Sequence, residues 1–351
     1  LGLWDGRRFR FTAPSSGEEG RAFLASRYSA DLVRLQPPIQ DVLSRLVRIY
    51  ERQAAGAAFD TPEDLCRDLG LYELTQQDGY AFFRQHGIGD PFVTEMSDAI
   101  SRGNYGQDGR MNALATLISL IGGGFGGGEL FSVVEGNDSV CRGLLAHSGA
   151  RLLLGDPVLR IDAAGRTGRD ATGYVLTTRQ GRSLPCDAVI LATPLELAGI
   201  ELHGVELPSP AARPRPYQTT HVTFVVGRLD PAYFGLPSQA PVPDLVLTPE
   251  EPGIPFSSLA ARPPGAAGTG TVHKIFSRSA LEDGLLGAMF LNREETVRLA
   301  WQAYPVLGPT PVWPPFRLAP GLYYVNAMES AVSTMETEAI AARNEIGRAH
   351  V

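Results

Sequence analysis

One run constrains this chain's fold more than any other: Ala188-Val-Ile-Leu-Ala-Thr-Pro194, an unbroken apolar stretch ending in a turn. It has no polar residue to mark a solvent face, so it predicts a strand buried on both faces, of the kind found inside parallel sheets. The rest of the chain divides around a glycine cluster, Gly122 to Gly128, which we read as a loop.

Before the cluster the texture is helical. The chain opens on a hairpin, with a strand to Trp4, an Asp5-Gly6 turn and the returning strand Arg8 to Phe11. From Ala30 to about Ile100, apolar residues such as Val42, Leu43, Leu46 and Ile49 recur at helix spacing. Thr61-Pro62-Glu63-Asp64 has the order of a helix start, a hydroxyl cap followed by proline and acids, and Asp90-Pro91 repeats the signal.

After the cluster the pattern becomes α/β. Glu135 to Cys141 leads into a short helix near Leu144, followed by a strand from Leu152 to Ile161 with an embedded Gly155-Asp-Pro turn. Further strands are predicted at Tyr174 to Thr178, Thr219 to Val226, Leu245 to Leu247, Thr271 to Phe276 and Leu322 to Asn326. Trp301-Gln-Ala-Tyr-Pro305 reads as a helix closing against a proline, and Met328 to Asn344 as the last helix.

Composition removes several function classes. At 351 residues, 44% hydrophobic and 20% charged, the chain suits two globular domains or one composite. A net charge of −7 argues against nucleic acid or an anionic membrane surface as partner. No run approaches the ~18 apolar residues of a membrane span. Cys66, Cys141 and Cys186 lack C-x-x-C spacing, so free thiols are expected, with no metal site or disulfide framework.

Several segments, in order, resemble the prenylcysteine oxidase and lyase family of amine-oxidase-like flavoproteins. They are Arg102-Gly-Asn-Tyr-Gly-Gln107, Val134-Glu-Gly-Asn-Asp-Ser-Val-Cys141, Val189 to Pro194, and Lys274-Ile-Phe-Ser277 with Trp301 to Pro305. Leu322-Tyr-Tyr-Val-Asn-Ala-Met-Glu329 running into Glu338 to Asn344 completes the set. The resemblance implies an α/β (α+β) fold, with a Rossmann-like FAD-binding domain interleaved with a helical and β-sheet substrate domain. On that footing 1–128 is mainly helical substrate domain after the hairpin, and 129–195 a central FAD segment. Residues 196–315 are substrate-domain sheet and loops, and 316–345 the C-terminal FAD strand and helix.

The family's first FAD segment, a strand–Gly-x-Gly-x-x-Gly–helix unit, has no counterpart in this sequence, so its FAD domain is expected to be incomplete. The chain as it stands is expected neither to hold FAD stoichiometrically nor to be active. Gly122 to Gly128 is no substitute, because it follows a helix and opens none. No signal peptide is visible, although the resemblance implies a lysosome or secretory-pathway setting. The last six residues, Ile346-Gly-Arg-Ala-His-Val351, match what a common sequencing-library adapter encodes and are excluded from the fold reading.

The resemblance also assigns a site. Glu135 and Gly136 would form a turn approaching FAD, and Val158 would lie on the strand whose backbone reads the adenine edge, or be simple core. Thr193 and Pro194 would pass under the dinucleotide at a strand's C-terminal end. Glu329 would touch the cofactor or cap the last helix, and free amides near Ser333 and Met335 would face the flavin. Lys274, the only lysine in the chain, is the catalytic candidate. It would hold a water beside the flavin's reactive edge or be a packing position whose ammonium reaches solvent. His273 is read as a satisfied histidine, and the Asn137-Asp-Ser139 sequon as unmodified.

The implied activity is FAD-dependent thioether cleavage of farnesyl- or geranylgeranyl-cysteine, with O2 as acceptor, in prenylated-protein degradation. A non-catalytic isoprenoid-binding protein of the same architecture and another amine-oxidase-like flavoenzyme are the alternatives.

Overall fold

The computed structural model describes residues 1–14, 17–127, 131–164, 173–209, 211, 214–262 and 270–349, with 346–349 as backbone only. Gly128 of the glycine cluster and His350 and Val351 of the tail lie outside the described residues.

The opening hairpin forms as its turn residues dictate. Strands β1 (Gly2–Trp4) and β2 (Phe9–Thr12) pair antiparallel. The Asp5 carboxylate between them accepts the amides of Arg7 and Arg8 at 3.1 and 3.0 Å. Among the described residues, seven α-helices follow before the glycines. They are α1 (Gly17–Leu46, bent at Tyr28), α2 (Arg48–Ala54), α3 (Pro62–Asp68), α4 (Gly79–Gln85), α5 (Asp90–Phe92), α6 (Asp98–Tyr105) and α7 (Ala113–Leu120). Thr61 caps α3 by accepting the Asp64 amide at 3.0 Å. The glycine cluster is not simply a loop: α7 continues through a wider π-turn, Ile121–Phe125, where Gly124 takes φ 101°.

The second part alternates strands and short helices. It comprises α8 (Asp138–Ser148), β3 (Val158–Ala164), β4 (Gly173–Thr178), β5 (Ser183–Cys186), β6 (Val189–Leu191), α9 (Leu195–Ala198) and β7 (Glu201–His203). Then come β8 (Tyr217–Leu229), β9 (Leu245–Leu247), β10 (Ser258–Arg262), β11 (Val272–Ser277), α10 (Asp283–Met289) and β12 (Phe290–Pro305). Strands β13 (Arg317–Ala319) and β14 (Leu322–Tyr324) precede α11 (Met335–Ala349). Among the described residues these strands make a seven-stranded sheet, β12-β8-β11-β10-β9-β1-β2, with a three-stranded sheet β13-β14-β6 and a four-stranded sheet β5-β4-β3-β7. The class is the mixed α/β one expected.

Besides the glycine cluster, four further elements depart from the sequence reading. The strand predicted from Leu152 begins only at Val158, because Gly155 turns the chain at φ 72°. β6 does pair in parallel with β14, but Ile190 is 43% exposed, so only one face is buried. Trp301 to Pro305 ends a strand, not a helix: β12 pairs with β8 from Phe290 opposite Leu229 to Pro305 opposite Tyr217. The last helix starts at Met335 instead of Met328, because Val325–Ser330 coils into a 3-10 turn and Thr334 and Thr337 then cap each other's amides.

The seven-stranded sheet positions the site. Side chains alternate across it, so His273 and Ile275 of β11 point to one face while Lys274 and Phe276 point to the other. The His273 face packs on Trp4, which stacks on Phe256 at 5.4 Å, and on Leu286 and Met289 of α10. The Lys274 face is turned toward α1 and α6.

Candidate active site

A cavity of about 990 Å³ lies between the Lys274 face of the sheet and the helices. Leu24 and Leu35 of α1, Met96 just before α6, Ile100 within it, and Phe125 of the π-turn give it a mainly apolar wall. Lys274 and Phe276 form part of the sheet side, with the ammonium 4.4 Å from the Phe276 ring centroid. Burial, and then the nearby Arg262 charge, lower the Lys274 pKa from the ordinary lysine value. A further cleft shares Gly103, Asn104 and Phe276 with this cavity and extends it to Trp301 and Tyr304.

Outside the linings of these two spaces, a largely buried arginine gathers separate segments. Arg215 Nε donates to the Glu196 carboxylate of α9 at 2.7 Å. Its other nitrogens donate to the Asn326 carbonyl at 3.0 Å, to Ser330 at 3.2 Å and to Tyr217 at 3.1 Å, and one reaches the Tyr324 hydroxyl. Burial opposes the Arg215 charge, but Glu196 and the tyrosine oxygens outweigh it and raise the pKa. Burial likewise raises the Tyr217 and Tyr324 phenols far above the ordinary tyrosine range, so both stay protonated.

The candidates named from sequence fall around this cluster unevenly. Glu329 is buried in the 3-10 turn, where Tyr217 donates to it at 3.1 Å and the Ser333 hydroxyl at 3.2 Å. Thr193 and Pro194 precede α9, and the Leu195 amide donates to Tyr324 at 3.3 Å, so that turn joins the same network. Glu135 and Gly136 form a tight turn with Gly136 at φ 89°. The neighbouring Asn137 amide lies 3.9 Å from the Met335 sulfur, which brings this turn to the start of α11. Val158 stands apart, half-buried on β3 opposite Thr178 in the four-stranded sheet.

Thr337 Oγ1 accepts the Thr334 amide and the Val332 amide donates to Met328, which leaves, among the described residues, the Ser333, Met335 and Glu336 amides without an acceptor around the helix start. His273 is only half satisfied: it faces the core with Nε2 3.1 Å from the Gly227 carbonyl, while Nδ1 is buried without a hydrogen-bond partner among the described residues, and burial lowers its pKa.

Sequence reasoning missed Arg215, Tyr217 and Tyr105. Tyr105 closes α6 and donates to the Ser333 carbonyl at 2.9 Å, tying the cavity's helical wall to the Glu329 segment. No local pattern marks Arg215, whose partners lie up to 115 residues away. Glu338 was also missed; both its oxygens are buried and lack a hydrogen-bond partner among the described residues.

The family described as prenylcysteine lyase matches residues 21–347. A farnesylcysteine lyase of Arabidopsis thaliana is 35% identical over 98% of this chain, which spans 68% of that enzyme. Prenylcysteine oxidase 1 of Homo sapiens is 30% identical over 98% of this chain and 71% of its own length. Among solved structures, a putrescine oxidase superposes with a TM-score of 0.55 over 100% of this chain and 81% of that one, at 10% identity, a likeness of fold.

Proposed function

The chain belongs to the prenylcysteine lyase family, and from that premise we propose that it cleaves the thioether of a prenylated cysteine by oxidation. The carbon beside sulfur loses a hydride equivalent, and water adds to the cation. The C–S bond then breaks to give cysteine and a prenyl aldehyde, and O2 leaves as hydrogen peroxide. The observation that carries this reading is the large apolar cavity with Lys274 on its wall, joined through α6 to the Glu329 segment. A long apolar chain is stabilised by burying itself against such a wall.

The residues fit FAD as the cofactor. The Gly136 turn leaves open space beside its backbone, where a Cβ would meet only Asp138. The Met335 and Glu336 amides open α11, and Ile190 and Leu197 stand exposed near the Thr193-Pro194 turn. Glu135, Gly136, Thr193, Pro194, Glu329, Ser333 and Met335 would hold it. Bound there, FAD would supply the two-electron acceptor and its reoxidation by oxygen. Lys274 holds a half-buried amine where a water or proton can be placed, the Leu24, Leu35 and Phe125 wall offers apolar surface to the isoprenoid, and the Arg215 network fixes Glu329.

Supplying the full-length gene product with S-farnesylcysteine should release cysteine and peroxide in equal amounts from a flavin-containing protein. Lys274→Met keeps most of the stem's volume and removes the charge. It should slow turnover at least about tenfold, with flavin content and melting temperature unchanged. Binding of farnesylcysteine without any peroxide would replace the oxidase by a non-catalytic isoprenoid binder. Unchanged turnover in Lys274→Met would make Lys274 a packing residue.

A further inference from the structure

The cavity carries a charge pattern that the cleavage chemistry does not require. Arg21 of α1, Arg262 of β10 and Lys274 of β11 all line it, and among the described residues no carboxylate does. None of the three takes part in an ion pair among the described residues, whereas most other arginines of the sheet and its helices do. Arg21 and Arg262 are exposed at the rim and Lys274 is half-buried behind them, so the cavity mouth presents positive charge that an entering anionic group meets.

Their placement defines the anion's position. Ala260 lies opposite Lys274 and Arg262 opposite Val272, so Arg262 is the diagonal neighbour of Lys274 on the same sheet face. Such diagonals are about 7–8 Å apart at Cα in an antiparallel pair. Arg262 is the last residue of its strand and lies at the cavity's exposed edge, while Leu35, Met96 and Ile100 form its buried wall. A ligand with one anionic end and one long apolar end therefore enters tail first.

We propose that Arg262, assisted by Arg21, is the specificity-determining anchor for the substrate's free α-carboxylate, an inference that rests on the reading of the cavity as the prenylcysteine site. The carboxylate of an S-alkyl cysteine is three bonds from its sulfur. Pairing it with Arg262 sets the thioether beside Lys274 and sends the isoprenoid toward Leu35. The planar guanidinium favours bidentate contact with a carboxylate and gives little to a neutral ester. The cavity selects the free acid over its carboxyl-methylated form.

The test compares S-farnesylcysteine with its methyl ester on the full-length protein, by steady-state kinetics and by anaerobic calorimetric binding. The wild type should favour the free acid at least about tenfold, expressed in KM and Kd. Arg262→Leu should collapse that preference to about twofold or less, and Arg262→Lys should restore part of it. Equal preference in the wild type, or an Arg262→Leu variant that weakens acid and ester alike, overturns the anchor. Acid-selective binding without turnover of either compound sustains the anchor and sinks the oxidase reading instead.

Discussion

Glu338 is the residue whose surroundings least suit its ionised form. It sits in the first turns of α11 with both oxygens buried and unpartnered among the described residues. Burial first, and then the neighbouring Glu329, push its pKa from 4.5 up to about 8, against the opposing pull of Arg215. The folded state thus holds this proton across a range where the unfolded chain, with an ordinary carboxylate, has released it. The stability involved is complete below the unfolded value and is lost as pH rises through about 8. The melting temperature should fall between pH 7 and pH 9, by at least about 2 °C beyond that of Glu338→Gln, whose curve should be flatter. Parallel curves for the two proteins would show that Glu338 has a partner for its charge.

At the scale of elements, β12 teaches most. Arg293-Glu-Glu-Thr-Val-Arg-Leu-Ala-Trp301 has the composition of a helix, yet it forms an edge strand along the whole of β8. Cross-strand pairing in a seven-stranded sheet outweighs a local preference of a few tenths of a kcal/mol per residue. The charged side chains at Arg293, Glu294, Glu295 and Arg298 also suit an exposed sheet edge, which they protect from pairing with another chain. The pairing leaves a specific mark at Gly227 of β8, where an added Cβ would lie 2.3 Å from the Asn292 carbonyl oxygen. Gly227→Ala should therefore cost about 1–3 kcal/mol in chemical denaturation, because strand backbone must move. A neutral substitution would mean that Phe290 to Pro305 does not lie against β8.

Across the whole molecule, Arg215 connects parts that the chain keeps far apart. It joins α9, the start of β8, the end of β14 and the turn before α11 through one guanidinium. Removing it strands Glu196, whose carboxyl is held below its ordinary value by Arg215 against the cost of burial, and leaves Glu329 and Glu338 without a nearby cation. Arg215→Met should destabilise the protein by about 3–5 kcal/mol, as breaking a buried ion pair does. Arg215→Lys should recover little of this, since a single ammonium cannot reproduce the planar fork. Denaturant titration of both variants measures the loss, and wild-type stability in Arg215→Lys would reduce the cluster to a simple charge pair.

What the sequence determined by itself was local or carried by ordered motifs. Asp5-Gly6 sets a hairpin, and Thr61 before Pro62 starts a helix, because these residues satisfy nearby backbone groups wherever they stand. The run Val189 to Leu191 specifies a strand beside a parallel neighbour, and the sequence motifs identify the family. The sequence also picks out Lys274 by its singularity. Tertiary structure alone decided that Ile190 faces outward, that β12 is a strand and that the last helix waits until Met335. It alone brought Arg215 to Glu196 and Tyr324, and Arg262 to the same cavity face as Lys274. Each of these depends on partners distant in the chain, and burial, pairing and charge compensation among them exist only once the sheets and helices have closed around each other.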